Sequence, residues 1–202
     1  MKTLGIVMAT RWEAYLVLKE FRFRRLKHNL FQATIANQPV LLALSGVGKE
    51  AARRTAHRLC DEGAGVLISA GFCGALVPGL RVGDLVTDRM ATVNAPVRNR
   101  AERVALARQV NAVACDMETQ SVIEAGTRRG VPIHILRVVS DELDDDLSPL
   151  LGAGGAYSNL RIALRLVNPK AWPLARRLLR NSVVAKKRLV EALVSFLKSK
   201  TS

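Results

Sequence analysis

The chain opens on an unbroken apolar run, Leu4 to Ala9, of the length expected for a buried strand. Trp12, Leu16 and Glu20 then recur at helical spacing and predict a helix over Trp12 to Glu20. Asn29 to Ala36 and Val40 to Leu44 read as two strands joined by a hairpin turn at Asn37-Gln38. Ser45-Gly46-Val47-Gly48 precedes a helix from Lys49 to about Cys60, and Val66 to Ala70 is a further strand that runs into a second glycine turn, Gly71-Phe72-Cys73-Gly74. Between Val86 and Asn111 no period is legible. Ala112 to Cys115 is a short apolar segment, followed by a helix-like stretch from Met117 to Gly130 and a strand from Val131 to Val139. From Tyr157 onward the pattern is helical, broken at Asn168-Pro169. Strands alternating with helices predict a three-layer α/β/α sandwich around a mixed, largely parallel sheet. The expected organisation is one α/β domain over residues 1–150 with a helical extension over 151–202 packed on it.

Composition narrows the setting. At 202 residues and 49% hydrophobic content, the chain supplies one sizeable core and no signature of disorder. Cys60, Cys73 and Cys115 form no CxxC pair, which argues against a disulfide framework or zinc ribbon and for a reducing cytoplasm. Neither a leader at Met1 nor a run of about 18 apolar residues is present, so a cytoplasmic protein is expected. The net charge of +14 is concentrated at the end: from Gly152 onward, Glu191 is the only acid against eleven Lys and Arg. That tail has three readings. It docks on its own domain, it lies on an anionic membrane surface, or it binds nucleic acid. The third is disfavoured, because aromatics total 4% and no nucleic-acid module is evident.

The glycine turns do not make nucleotide fingerprints. Gly46-Val47-Gly48-Lys49-Glu50-Ala51 satisfies GxGxxA, but the strand ending at Ala70 offers no acid about 20 residues on to hold a ribose. Walker chemistry is excluded by Ala43 and by Glu50, which stands where Ser or Thr should bind magnesium. Each loop keeps two readings: a tight turn, or backbone N–H groups of residues such as Gly48 and Gly71 approaching a small ligand. The acidic cluster from Asp141 to Asp146 lacks calcium-loop spacing, and Asp144 to Asp146 read as a solvated loop. His28, His57 and His134 are unpaired in sequence, so no metal is assigned.

Three acids stand out: Glu13, Glu118 and Asp141 each follow an apolar strand-like segment, where open α/β sheets bind ligands. Singly they read as a solvated helix residue, an acid at a helix N-terminus and a helix or turn cap. Jointly they match the needs of N-glycosidic cleavage: one acid to activate a nucleophile, one to hold sugar hydroxyls, one to protonate the leaving group.

The ordered set Gly5-Ile6-Val7-Met8-Ala9 with Glu13, Ser45-Gly46-Val47-Gly48-Lys49, Gly71-Phe72-Cys73-Gly74 with Val82-Gly83-Asp84, Asp116-Met117-Glu118, and Arg137-Val138-Val139-Ser140-Asp141 resembles nucleoside phosphorylases and 5′-methylthioadenosine/S-adenosylhomocysteine nucleosidases. It covers roughly Lys2 to Ser148. The compact middle segment and the basic tail with Pro173-Leu174-Ala175-Arg176-Arg177 are most similar to the hopanoid-associated branch, linked to removal of adenine from adenosylhopane. The resemblance implies that Glu13 activates water, Glu118 grips the ribose hydroxyls, Met117 packs on the sugar, Asp141 protonates purine N7 and Arg137 stands near the nucleophile. For its role Asp141 must keep a proton, and burial is expected to let it. Gly48, Gly71, Phe72, Cys73 and Val97 are the further substrate-side residues. Two departures stand out: bulky Phe72 replaces a small or hydroxyl residue, and Asn94 to Arg98 contains no aromatic to stack on the base. No cofactor is implied. Phosphate as co-substrate stays open, with Arg11 and Arg89 as the candidate cations and Glu13 favouring water. The implied partners are a purine nucleoside or nucleoside lipid, an anionic membrane surface and further copies of the chain in a homo-oligomer, with no nucleic acid.

Overall fold

The computed structural model describes residues 2–151 and 169–199. The helical reading over Tyr157 to Asn168 lies outside the described residues. Among those described, nine strands form one mixed sheet: β1 (Thr3–Met8), β2 (Arg24–Lys27), β3 (Leu30–Ile35), β4 (Gln38–Leu44), β5 (Ala64–Ala75), β6 (Leu85–Val86), β7 (Met90–Thr92), β8 (Ala114–Asp116) and β9 (Ile133–Asp141). The order is β2-β3-β4-β1-β5-β8-β7, with β9 beside β5 and β6 beside β9. The central pairs β4/β1, β1/β5 and β5/β9 are parallel, so the carboxyl ends of β1, β5 and β9 emerge on one edge. The helices are α1 (Arg11–Glu20), α2 (Lys49–Asp61), α3 (Arg100–Val110), α4 (Thr119–Arg128), α5 (Ser148–Leu151) and α6 (Trp172–Ser199).

Side chains of the central strands alternate between two cores, as a period of two requires. Ile6, Met8, Leu42 and Ile68 face α1 and α6, meeting Ala14, Val17, Leu189 and Leu193. Val7, Leu41, Ala43 and Leu67 face α2 and α4, meeting Ala52, Ala56, Leu59 and Val122. Both faces are covered, which is why these strands read as continuous apolar runs.

Three details differ from the sequence reading. The hairpin turn is Ala36-Asn37, one residue earlier, with φ of 49° and 62° at the two central positions, the left-handed pair a two-residue hairpin needs. Gly71-Phe72-Cys73-Gly74 is no turn but the second half of the 12-residue β5, paired to β9 along its length. Glycine serves there for close approach: a Cβ on Gly71 would lie 2.8 Å from Arg137 Nη1 and 3.3 Å from Glu13 Oε1. The illegible stretch after Val86 contains α3, whose N-terminus is capped by the Asn99 side chain accepting from the Glu102 N–H.

Candidate active site

Glu13 is fixed by the start of its own helix. Thr10 and Glu13 form a reciprocal capping box, in which Thr10 Oγ1 accepts from the Glu13 N–H while Glu13 Oε2 accepts from Thr10 N at 3.0 Å and Thr10 Oγ1 at 3.1 Å. Its other oxygen, Oε1, accepts from the Phe72 N–H at 3.2 Å. Glu13 is therefore an anchored group at the end of β1 and not a solvated helix residue. From α6, Lys186 places its ammonium 3.0 Å from the centre of the Trp12 ring, and burial lowers its pKa against the opposing pull of Glu13.

Glu118 closes the turn from β8 into α4. Its Oε1 accepts from the Gly48 N–H at 2.9 Å, and Oε2 lies 3.6 Å from Arg137 Nη1. Arg137, 1% exposed, pairs at 2.9 Å with Asp116, itself bonded to Thr92 and to the Thr119 N–H, and donates to Ser69 Oγ, Thr119 Oγ1 and Phe72 O. Burial holds the Glu118 carboxyl above its ordinary range, while Arg137 and the Gly48 N–H pull it down. A hydroxyl donates best to an ionised carboxylate, so a ligand held at Glu118 by its hydroxyls should bind more weakly as pH falls through a value above the ordinary glutamate value of about 4.3. Glu118→Gln should weaken such binding at all pH and erase that limb, as Kd measured across pH will show. Stability runs the opposite way: a raised carboxyl pKa favours the fold below its ordinary value and loses that contribution as pH rises through the raised one.

Asp141 ends β9. The sequence reading expected it to be buried, and it is only partly so. Its side chain is 16% exposed and its Oδ2 lies 2.5 Å from Nη2 of Arg103, while Oδ1 accepts from Ser140 Oγ at 2.8 Å. Asp145, expected to be solvated, is buried and pairs at 2.7 Å with Arg177 of α6, which ties that helix to the loop after β9.

The three acids line one cavity of about 420 Å³ at the carboxyl edge of the sheet. Met117, Phe72, Cys73 and Val97 line it as well; Gly48, Gly71 and Arg137 do not, and the Gly48 N–H is taken by Glu118. Arg11 and Arg89 lie outside it, Arg89 bonded to Asn111. Burial pushes the Cys73 thiol well above its usual range and Cys115 up to about 12, so both serve as apolar wall. The remaining wall is largely apolar, with Trp12, Val47, Leu147, Leu150 and Leu178 prominent. Among the described residues no three His, Cys, Asp or Glu are grouped to hold a metal.

The sequence model of the phosphorylase superfamily matches residues 3–87 and 89–156. The chain belongs to the phosphorylase superfamily. No curated protein matches it. Among solved structures it is similar to a Francisella philomiragia protein assigned as a 5′-methylthioadenosine/S-adenosylhomocysteine nucleosidase, at TM-score 0.76 and 16% identity over 98% of this chain and 99% of that one. The Streptococcus pneumoniae nucleosidase solved with 8-aminoadenine gives 0.73 and 18% over 98% and 99%. The futalosine hydrolase of Helicobacter pylori gives 0.63 and 18% over 90% and 97%. These likenesses establish the fold.

On this superfamily fold, three groups at the site escaped the sequence reading. Asp116 reads in the sequence as no more than a neighbour of Glu118, Arg103 sits in the segment without a legible period, and Lys186 looks like one cation in a run of three. For Asp116 a signal existed: an Asp just before a helix start can accept from a nearby backbone N–H, as Asp116 does from Thr119.

Proposed function

We propose that the chain hydrolyses the N-glycosidic bond of an adenine nucleoside with an apolar 5′ substituent, adenosylhopane being the kind of substrate meant. The observation that carries this reading is the meeting of Glu13, Glu118 and Asp141 around one cavity. The likeness to nucleosidases, one of them solved in Helicobacter pylori with 5′-methylthioadenosine in its active site, supports it. In this reading Glu13 takes a proton from water as the oxygen attacks C1′. Glu118 accepts from the ribose hydroxyls, and Met117 packs on the sugar. The C1′–N9 electron pair leaves with the purine, and Asp141 delivers a proton to N7. The anionic wall also stabilises the positive charge that develops on the ribose.

Water is favoured over phosphate by the charges present. Among the described residues only one cation, Arg103, lines the cavity, and Asp141 holds it. A phosphate dianion beside Glu13 and Glu118 would lack the paired donors that such anions need. The apolar wall of Trp12, Leu147, Leu150 and Leu178 fits a hydrocarbon at the 5′ position. No helix among the described residues is long and apolar enough to cross a bilayer. Exposed Leu179 and Val183 lie among exposed Arg176, Arg180 and Lys187 on α6, which supports contact with an anionic membrane surface. The test is adenine release from a 5′-alkyl adenosine, free and in anionic vesicles, with and without phosphate. Expected are the free 5-alkyl ribose as co-product, a rate indifferent to phosphate, and faster turnover on vesicles that falls with salt. A sugar 1-phosphate product would contradict hydrolysis, and indifference to vesicles would contradict the membrane contact.

A further inference from the structure

Lys186 occupies a place on α6 where an apolar side chain belongs. The buried face of that helix includes Ser182, Ala185, Lys186, Leu189 and Leu193, and Lys186 is 5% exposed. A buried ammonium is costly unless something compensates it. Among the described residues no carboxylate forms an ion pair with it, and Glu13 attracts it only from beyond pairing distance. What compensates it is the indole of Trp12, whose ring centre lies 3.0 Å from the ammonium. Trp12 needs a partner in turn. The capping box fixes the backbone it hangs from, but the residue is 53% exposed, so burial does not hold its ring in place. It also lines the cavity, as does Ser182, one turn before Lys186 on the same face of α6.

We infer that Lys186 is a positioning residue that holds the Trp12 indole as a fixed wall of the cavity and so sets its preference for an apolar 5′ substituent; this rests on the reading of the cavity as a nucleoside site. A ring held in one orientation offers a ready, flat apolar surface, and the chain of a ligand need not order it on binding. A ring released from the cation turns among several rotamers, and a chain laid against it must first fix it. Adenosine, whose 5′ position ends in a hydroxyl, gains little from such a wall, so the effect is confined to 5′-alkylated nucleosides. Whatever the charge of Lys186 does at Glu13 acts on both kinds of substrate alike and cancels in their ratio.

The experiment measures kcat and KM of the full chain for 5′-butylthioadenosine and for adenosine, and reads Trp12 fluorescence in a Trp172→Phe background, where Trp12 is the sole indole. The wild type should favour the butylthio nucleoside about tenfold or more in kcat/KM. Lys186→Met keeps an apolar stem and removes the charge. It should lower that preference about five- to tenfold, with the loss in KM, and raise the quenching of Trp12 by acrylamide. Lys186→Arg, which keeps a cation for the ring, should retain most of the preference. Lys186→Met added to Trp12→Leu should lower it no further than Trp12→Leu alone, because the two residues act as one unit. Should the methionine variant fail to fold, Trp12→Leu at the exposed rim decides the matter: a preference unchanged by it overturns the inference. So does an unchanged preference in a folded Lys186→Met, or a further loss in the double variant. A wild type that takes adenosine as readily as the butylthio nucleoside overturns the inference and leaves adenine-nucleoside cleavage standing, whereas one that frees adenine from neither overturns both.

Discussion

Glu13→Gln should lower turnover of an adenine nucleoside about a thousandfold while leaving the protein folded. General-base contributions run from about 10² to 10⁴, and glutamine takes no proton from water. Glutamine serves the same capping position as glutamate, so its one acceptor oxygen keeps the bond from the Thr10 N–H while its amide nitrogen faces the Phe72 N–H and that bond is lost. The weakened cap and the lost bond together cost about 1–3 kcal/mol, or about 2–12 °C in a chain of this size. A large loss of kcat with a melting point inside that margin is the expected pair of results. Turnover within about threefold of wild type would remove Glu13 from the chemistry.

Arg137→Met should cost about 3–5 kcal/mol, because the side chain of similar length leaves Asp116 and Glu118 buried without their cation. Against a typical total stability of about 5–15 kcal/mol this is a large fraction. Thermal unfolding should show a drop of about 6–20 °C. Arg81→Met is the control: its pair with Glu142 is open to solvent, with Arg81 73% exposed, and such pairs contribute about 0–1 kcal/mol. If both variants melt alike, the Asp116-Arg137-Glu118 cluster is not what holds the turn from β8 into α4.

What was legible in the chain follows from burial. β1, β4 and β9 read correctly because a sheet covered on both faces demands apolar side chains at nearly every position. β2 was not legible: Arg24 to Lys27 is exposed throughout, and backbone pairing to β3 forms it without an apolar pattern. α3 escaped because its buried position is Arg103, so the helical period points inward with a charge. The second glycine turn was misread because glycine in a strand and glycine in a turn look alike until the side chains crowding it are placed, here Arg137 at Gly71. The three acids were visible as residues that follow strand-like segments. Their partners were not, because pairing depends on the sheet order that brings β9 between β5 and β6.

The most direct test of the account is adenine release from 5′-methylthioadenosine by the wild type and by Glu13→Gln, Glu118→Gln and Asp141→Asn singly, each confirmed as folded. The account predicts release by the wild type and a steep loss of kcat/KM in every variant. Wild-type rates in all three, or a folded wild type that frees no adenine from this nucleoside or its longer 5′-alkyl relatives, would contradict it.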